Sequence, residues 1–153
     1  MQTKQRLSFY IANKAFADKV DKAGKPYIEH LTRVRGRVAA WGFDEDIQCA
    51  ALLHDLLEDC PEWNIETLRS TVGERVANIV GILTKRPEWS YEKYISGISL
   101  SERASVIKLA DLLDNMDITR LPDVTEKDIH RLRKYRKALD YLLEAYPRFS
   151  EFI

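Results

Sequence analysis

Cysteine is scarce in this 153-residue chain, which has only Cys49 and Cys60. Two thiols outside any Cys-x-x-Cys pair make neither a disulfide framework nor a zinc-ribbon pattern, and their simplest reading is as reduced side chains of a cytoplasmic protein. Long apolar runs are lacking as well. No stretch approaches the roughly 20 residues that a membrane-spanning helix requires, and Met1-Gln2-Thr3-Lys4-Gln5-Arg6 leads into no apolar signal region. The expectation is a soluble protein with no membrane partner. An excess of either charge is absent, since 24 basic and 24 acidic side chains cancel, and with it the basic footprint of a nucleic-acid binder. Strand-like alternation, repeats, linkers and low-complexity segments are missing too. What remains is one all-α domain spanning 1–153, a helical bundle long enough to bury roughly two thirds of its unfolded surface.

Apolar spacing of three and four residues, punctuated by capping residues, divides the chain. A first helix is expected from about Thr3 to Val20 with Leu7, Tyr10, Ile11, Ala15 and Phe16 inward, ended near Gly24. Pro26 then opens a second helix, with Ile28, Leu31, Val34, Val38 and Trp41 on one side and His30 beside that stripe. Asp44 caps a central helix from about Glu45 to Cys60. Asn64 caps a short helix through Val72, Gly73 resets the chain, and Glu74 to Leu83 forms the next. A loop over 84–90 precedes a short helix at Tyr91 to Ile98. Ser101 caps a helix to about Thr119, and Thr125 to Asp128 resemble a capping box before a long helix to Ala145, with Ile129, Leu132, Leu139 and Leu142 inward. The basic run from Lys127 to Lys137 reads first as a solvated face.

The central helix is written for two purposes. At about 100° per residue Leu52, Leu53, Leu56 and Leu57 share one arc, and His54, Asp55, Glu58 and Asp59 the opposite one. Solvated faces usually mix signs, whereas this one gathers three carboxylates and an imidazole without a cation, which points to a bound positive charge. Lys108, Asp111 and Asn115 form a second polar stripe able to meet it. Two imidazoles with two or more carboxylates suit a divalent ion of mixed nitrogen and oxygen ligation, such as manganese, iron or magnesium. An ion with open positions for water performs hydrolysis of phosphate esters. Glu58 and Asp59, one turn beyond, could orient or deprotonate the attacking water. Lys22, Lys25, Lys85 and Arg86 sit in flanking loops, where each is either a phosphate contact or an ordinary surface cation.

Read together, His30, His54-Asp55 and Asp111 have the order H…HD…D of the HD superfamily of metal-dependent phosphohydrolases. The segments Gly24-Lys25-Pro26-Tyr27-Ile28-Glu29-His30, Ala50 to Asp59, Val72-Gly73-Glu74-Arg75-Val76, Leu83-Thr84-Lys85 and Lys108-Leu109-Ala110-Asp111…Asn115-Met116 resemble the hydrolase domain of RelA/SpoT proteins from about Ala12 to Arg120. The resemblance implies that His30, His54, Asp55 and Asp111 hold the metal, usually manganese, and that Glu58 and Asp59 activate water. It also implies that Lys22, Lys25, Tyr27, Lys85 and Asn115 bind substrate. The implied reaction removes the 3′-pyrophosphate of ppGpp or pppGpp to leave GDP or GTP. The chain's length suggests a stand-alone small alarmone hydrolase, similar in layout to the metazoan SpoT homologue. Two stretches depart from that pattern. Asp21-Lys22 stands where the family commonly has Arg-Lys, and Asp111-Leu112-Leu113-Asp114-Asn115 stands where it tends to read Asp-Arg-Leu-His-Asn. An adenine alarmone such as ppApp or another nucleoside phosphate stays open as substrate. So do a metal- or nucleotide-binding regulatory module without turnover, and a homo-oligomer.

Overall fold

Five helices start where a short polar side chain ends an extended stretch and turns its oxygen onto an amide of the first turn. Asp44 accepts from Ile47, Asn64 from Thr67, Ser90 from Lys93, Ser101 from Ala104 and Thr125 from Asp128. Such a cap satisfies an amide that has no partner within the helix. The computed structural model describes residues 2–153. Its helices are α1 (Thr3–Ala15), α2 (Tyr27–Ala40), α3 (Glu45–Leu53), α4 (Leu56–Asp59), α5 (Ile65–Val72), α6 (Glu74–Ile82), α7 (Tyr91–Ile98), α8 (Glu102–Asn115) and α9 (Glu126–Ala145). Two 3-10 turns, Ile118–Arg120 and Pro147–Phe152, complete the bundle. Among the described residues the only strand-like pairing is the Val20–Pro26 bridge, so the all-α expectation holds. Among the described residues no helix is long and apolar enough to cross a membrane.

The core is built around α3, which packs against α1, α2 and α6, and α8, which packs against α2 and α9. Cys49 through Leu53 are wholly buried, as are Ile107, Leu109 and Leu112 of α8. Gly73 joins α5 to α6 with no further residue between them; its φ of 95° is a backbone state that a side chain disfavours. The C-terminal 3-10 turn seals the far side through aromatic contacts. Phe149 is wholly buried, stacks on Tyr146 at 4.9 Å and lies 5.9 Å from Phe152, which in turn stacks on Trp41 at 4.9 Å. Phe149→Ala should therefore cost about 3–5 kcal/mol. Urea unfolding would show this as a lower midpoint with an unchanged slope.

Five boundaries or stripes differ from the sequence expectation. The first helix stops at Ala15 because residues 19–27 fold into a small hairpin that takes the backbone groups a longer helix would use. In that hairpin Tyr27 N–H donates to the Lys19 carbonyl at 3.0 Å, Asp21 N–H donates to Lys25 at 2.8 Å, and Gly24 turns at φ 81°. On α1, Leu7 and Tyr10 are 39% and 61% exposed, while Gln5, Ser8, Ile11 and Ala12 face inward. Ser8 reaches the Cys49 thiol of α3, so the small polar face of α1 is the one that packs. The central helix breaks at His54-Asp55. The Glu102 helix ends at Asn115, since Asp117 caps the following 3-10 turn through Thr119. Ile129 is exposed because its neighbour Asp128, locked in the Thr125 capping box and paired with Arg131, takes the inward position.

Candidate metal centre

The break in the central helix creates the site. α3 ends at Leu53 and α4 begins at Leu56, with buried Leu52, Leu53 and Leu56 pinning both sides. His54, 3% exposed, turns so that its Nδ1 lies 2.7 Å from the Ala51 carbonyl. A carbonyl can only accept, so Nδ1 carries the hydrogen and Nε2 presents a lone pair to the interior. α2 contributes His30, whose Nδ1 is 2.6 Å from Asp114 Oδ2 and whose Nε2 is 2.9 Å from Asp111 Oδ1. α8 contributes Asp111, whose Oδ1 is also 3.3 Å from His54 Nε2. Lys108 donates to its other oxygen at 2.9 Å and Asn115 to Oδ1 at 3.2 Å.

One ligand atom from each of His30, His54 and Asp111 thus lies within 4.8 Å of the other two, and all three side chains are buried. Asp55 stands beside this group, with Oδ2 3.2 Å from His54 Nε2 and accepting from the Tyr27 hydroxyl at 2.5 Å. Burial alone would lower the His30 pKa, but hydrogen bonds to the Asp111 and Asp114 carboxylates carry it up to about 9. His54 is likewise raised, by the charges of Asp55 and Asp111 against the cost of burial. Asp111 is held well below the usual carboxylate range because Lys108 and the two histidines outweigh its desolvation. Two imidazole nitrogens and a carboxylate drawing protons into one buried point form a donor set that a divalent cation fits.

Two cavities meet at this group. One, of about 320 Å³, holds Asp55, Asp111, Glu58, Lys85, Lys108 and Lys134 against a wall of Tyr91, Tyr94 and Tyr135. The other, of about 380 Å³, runs from His30 to Asp21, Lys22, Arg33 and Arg131. Tyr27, Asn115 and Tyr135 border both. Volumes of this size suit a small-molecule ligand.

The structure brings most of the expected site residues together. Glu58 is at the cavity rim, where its Oε1 accepts the Lys85 amide at 2.8 Å; burial raises its pKa, against the lowering effect of that bond. Tyr27, Lys85 and Asn115 line the metal-side cavity and Lys22 the second one. Asp59 is turned outward into an ion pair with Lys19 at 2.8 Å and lines neither of these two cavities, since it points about 100° round α4 from Glu58. Lys25 belongs to neither cavity. It stays on the hairpin, where its amide donates to Asp21 at 2.9 Å. Arg86 lies outside, with its guanidinium 5.3 Å over the Trp89 ring.

Sequence reading missed four participants. Tyr91 carries no signal in the sequence beyond opening a short helix and Tyr135 none at all, and Lys134 was hidden in a basic run, yet its ammonium sits 4.5 Å over the Tyr91 ring. Desolvation and the nearby cations Lys108, Arg131 and Lys85 lower its pKa, as expected of cations gathered for an anion. Asp114 is the fourth. Its signal was its place one turn after Asp111, facing His30.

Comparison with known proteins agrees with this geometry. The family described as HD domain matches residues 8–93. The guanosine-3′,5′-bis(diphosphate) 3′-pyrophosphohydrolase of Aquifex aeolicus is 33% identical over 117 residues, covering 71% of this chain and 17% of that protein. A probable GTP pyrophosphokinase of Mycobacterium leprae is 32% identical over 145 residues, 88% of this chain and 18% of that one. The chain therefore spans less than a fifth of these relatives. Among solved structures, a metazoan orthologue of SpoT that hydrolyses ppGpp superposes with a TM-score of 0.79 at 24% identity, covering 99% of this chain and 94% of the other. The protein lmo0812 of Listeria monocytogenes superposes at 0.63 with 25% identity, covering 80% and 92%.

Proposed function

Since the chain belongs to the HD domain family, we propose that it is a metal-dependent phosphohydrolase that removes the 3′-pyrophosphate of a guanosine alarmone, yielding GDP or GTP and pyrophosphate. The observation that carries this reading is the convergence of His30, His54 and Asp111 within 4.8 Å. The similarity to the Aquifex pyrophosphohydrolase, 33% identical over 71% of this chain, supports the substrate. His30, His54, Asp111 and the adjacent Asp55 would hold the ion; the mixed nitrogen and oxygen donors admit manganese, iron or magnesium, and the resemblance to RelA/SpoT hydrolase domains makes manganese our choice among them. When bound, it supplies Lewis acidity that polarises a phosphoryl oxygen and acidifies a coordinated water.

The chain's own residues account for the remaining steps. Glu58, at the mouth of the same cavity, is placed to take the proton of the attacking water, and its raised pKa makes it a stronger base than an ordinary glutamate. Lys85, Lys108 and Lys134 surround the space where the attacked pyrophosphoryl group would lie and match its charge. The ribose 3′-oxygen leaves and would take up the proton that Glu58 accepts from water. Asn115 and Tyr27, on the border of both cavities, would orient the ribose, leaving the second cavity to the nucleoside. Asp59, paired with Lys19, can assist Glu58 only through its charge. The buried thiols and a nucleotide substrate fit a cytoplasmic setting.

Asp21 gives the adenine reading its weight. It lies in the second cavity with Oδ1 already accepting two backbone amides. Its other oxygen can receive either the N1 and N2 hydrogens of guanine or the N6 hydrogens of adenine. Purified protein with Mn2+ should release pyrophosphate from ppGpp faster than from ppApp or simple nucleotides, and a chelator should stop it. Preference for ppApp would reassign the base. No release from any alarmone, with metal bound, would sink the hydrolase reading and favour a binding module.

A further inference from the structure

We infer that Asp114 is the positioning residue of the metal centre, fixing His30 with Nδ1 protonated and Nε2 directed at the ion. The inference rests on the reading of His30 as a ligand. Asp114 is wholly buried, and its carboxylate is fully engaged. Oδ2 lies 2.6 Å from His30 Nδ1 and accepts Arg33 Nη2 at 3.1 Å. Oδ1 accepts Arg33 Nε at 2.8 Å and Arg37 Nη1 at 2.9 Å. Arg120 approaches Oδ2 at 3.5 Å and also donates to the Asp114 backbone carbonyl at 3.1 Å.

Helical spacing produces the arrangement. His30, Arg33 and Arg37 are one and two turns apart on α2, so a single stripe of that helix closes on one carboxylate of α8. Guanidinium groups are permanently charged, and three of them around a buried carboxylate keep it an acceptor. An acceptor opposite Nδ1 keeps a hydrogen on Nδ1, so Nε2, whose hydrogen faces Asp111 at 2.9 Å, is the nitrogen that would exchange its proton for an ion between Asp111 and His54. A carboxylate behind a ligating imidazole also increases its basicity and fixes the ring plane. The three arginines suit an anion at this position, where the RelA/SpoT pattern tends to have an imidazole.

Asp114→Asn keeps the size and an acceptor oxygen but removes the charge, leaving three cations a few ångströms from the metal site. Its Mn2+ dissociation constant should rise about 10- to 100-fold, read from the free-ion electron paramagnetic resonance signal with no nucleotide present. A merely structural role would lower the unfolding midpoint and leave the affinity of the folded fraction unchanged. A folded variant that binds Mn2+ within about twofold of the native protein would overturn the inference. Should the variant not fold, native protein loaded with diamagnetic Zn2+ decides by histidine 15N spectra. A proton on His30 Nδ1 with Nε2 on the metal is expected; metal on Nδ1 would overturn the assignment. Neither measurement uses an alarmone, so failure of the substrate reading leaves it standing, and failure of native protein to bind any ion would remove both.

Discussion

Alanine at both His54 and Asp55 is expected to lower pyrophosphate release from ppGpp by on the order of 10⁴-fold or more, equivalent to at least about 5.4 kcal/mol of transition-state stabilisation. The size follows from what the two residues support. Without the His54 Nε2 atom only two of the three convergent donors remain, and without Asp55 the neighbouring carboxylate and its 2.5 Å bond to Tyr27 are lost. Water then returns from a pKa near 7 towards about 15.7, so hydroxide at neutral pH becomes scarce. The substitution also leaves the Ala51 carbonyl without its imidazole partner, a local cost of about 1–3 kcal/mol. Circular dichroism should therefore accompany the assay. A folded variant that retains even about a hundredth of native turnover would show that the ion is held elsewhere.

Glu58→Gln separates chemistry from binding. Glutamine can still accept the Lys85 amide that Glu58 Oε1 accepts at 2.8 Å, so the rim of the cavity keeps its shape. It cannot take a proton, and turnover should fall about 10²- to 10⁴-fold while Mn2+ and nucleotide still bind. The same change has an opposite effect on stability. Burial raises the Glu58 pKa from 4.5, so the folded state holds that proton more tightly than the unfolded chain does. Its contribution is therefore most favourable below pH 4.5 and declines as pH rises through the folded value. Thermal unfolding should find the glutamine variant slightly more stable than native protein at pH 7, with the gain gone at pH 4. Equal shifts at both pH values would refute desolvation as the cause. Unchanged turnover would remove Glu58 from the chemistry.

The helices were legible because each depends on short-range spacing, and the candidate ligands because their order along the chain matches that of a family. Asp44 and Ser101 announce α3 and α8 by position alone, and both helices begin where expected. His30, His54 and Asp111 carry the order of their family, and the helices bring them together as that order implies. What the sequence concealed depends on the rotation of one element against another. Glu58 and Asp59 fall within one polar arc of the wheel, but they point about 100° apart, and only the packing of α4 decides that Glu58 meets Lys85 while Asp59 turns to Lys19. Leu7 and Tyr10 satisfy an apolar stripe as well as Ile11 does, and only the fit of Ser8 against Cys49 decides which face is buried. Asp114 was hidden for a different reason. Its partners Arg33 and Arg37 lie 81 and 77 residues away, so no local pattern joins them.

The ligand set also ties together parts of the chain that are remote in sequence. His30 and Asp111 are 81 residues apart, and His54 and Asp111 are 57 apart. An ion shared between them would be a removable clasp across α2, the α3–α4 junction and α8, one the unfolded chain could not hold in this form. At a free concentration 100 times the dissociation constant, such a clasp adds about 2.7 kcal/mol to folding. Differences of that size alter how much of a protein a cell's degradation machinery leaves intact. Shortage of the ion would then act twice, silencing the molecules that remain and thinning their number.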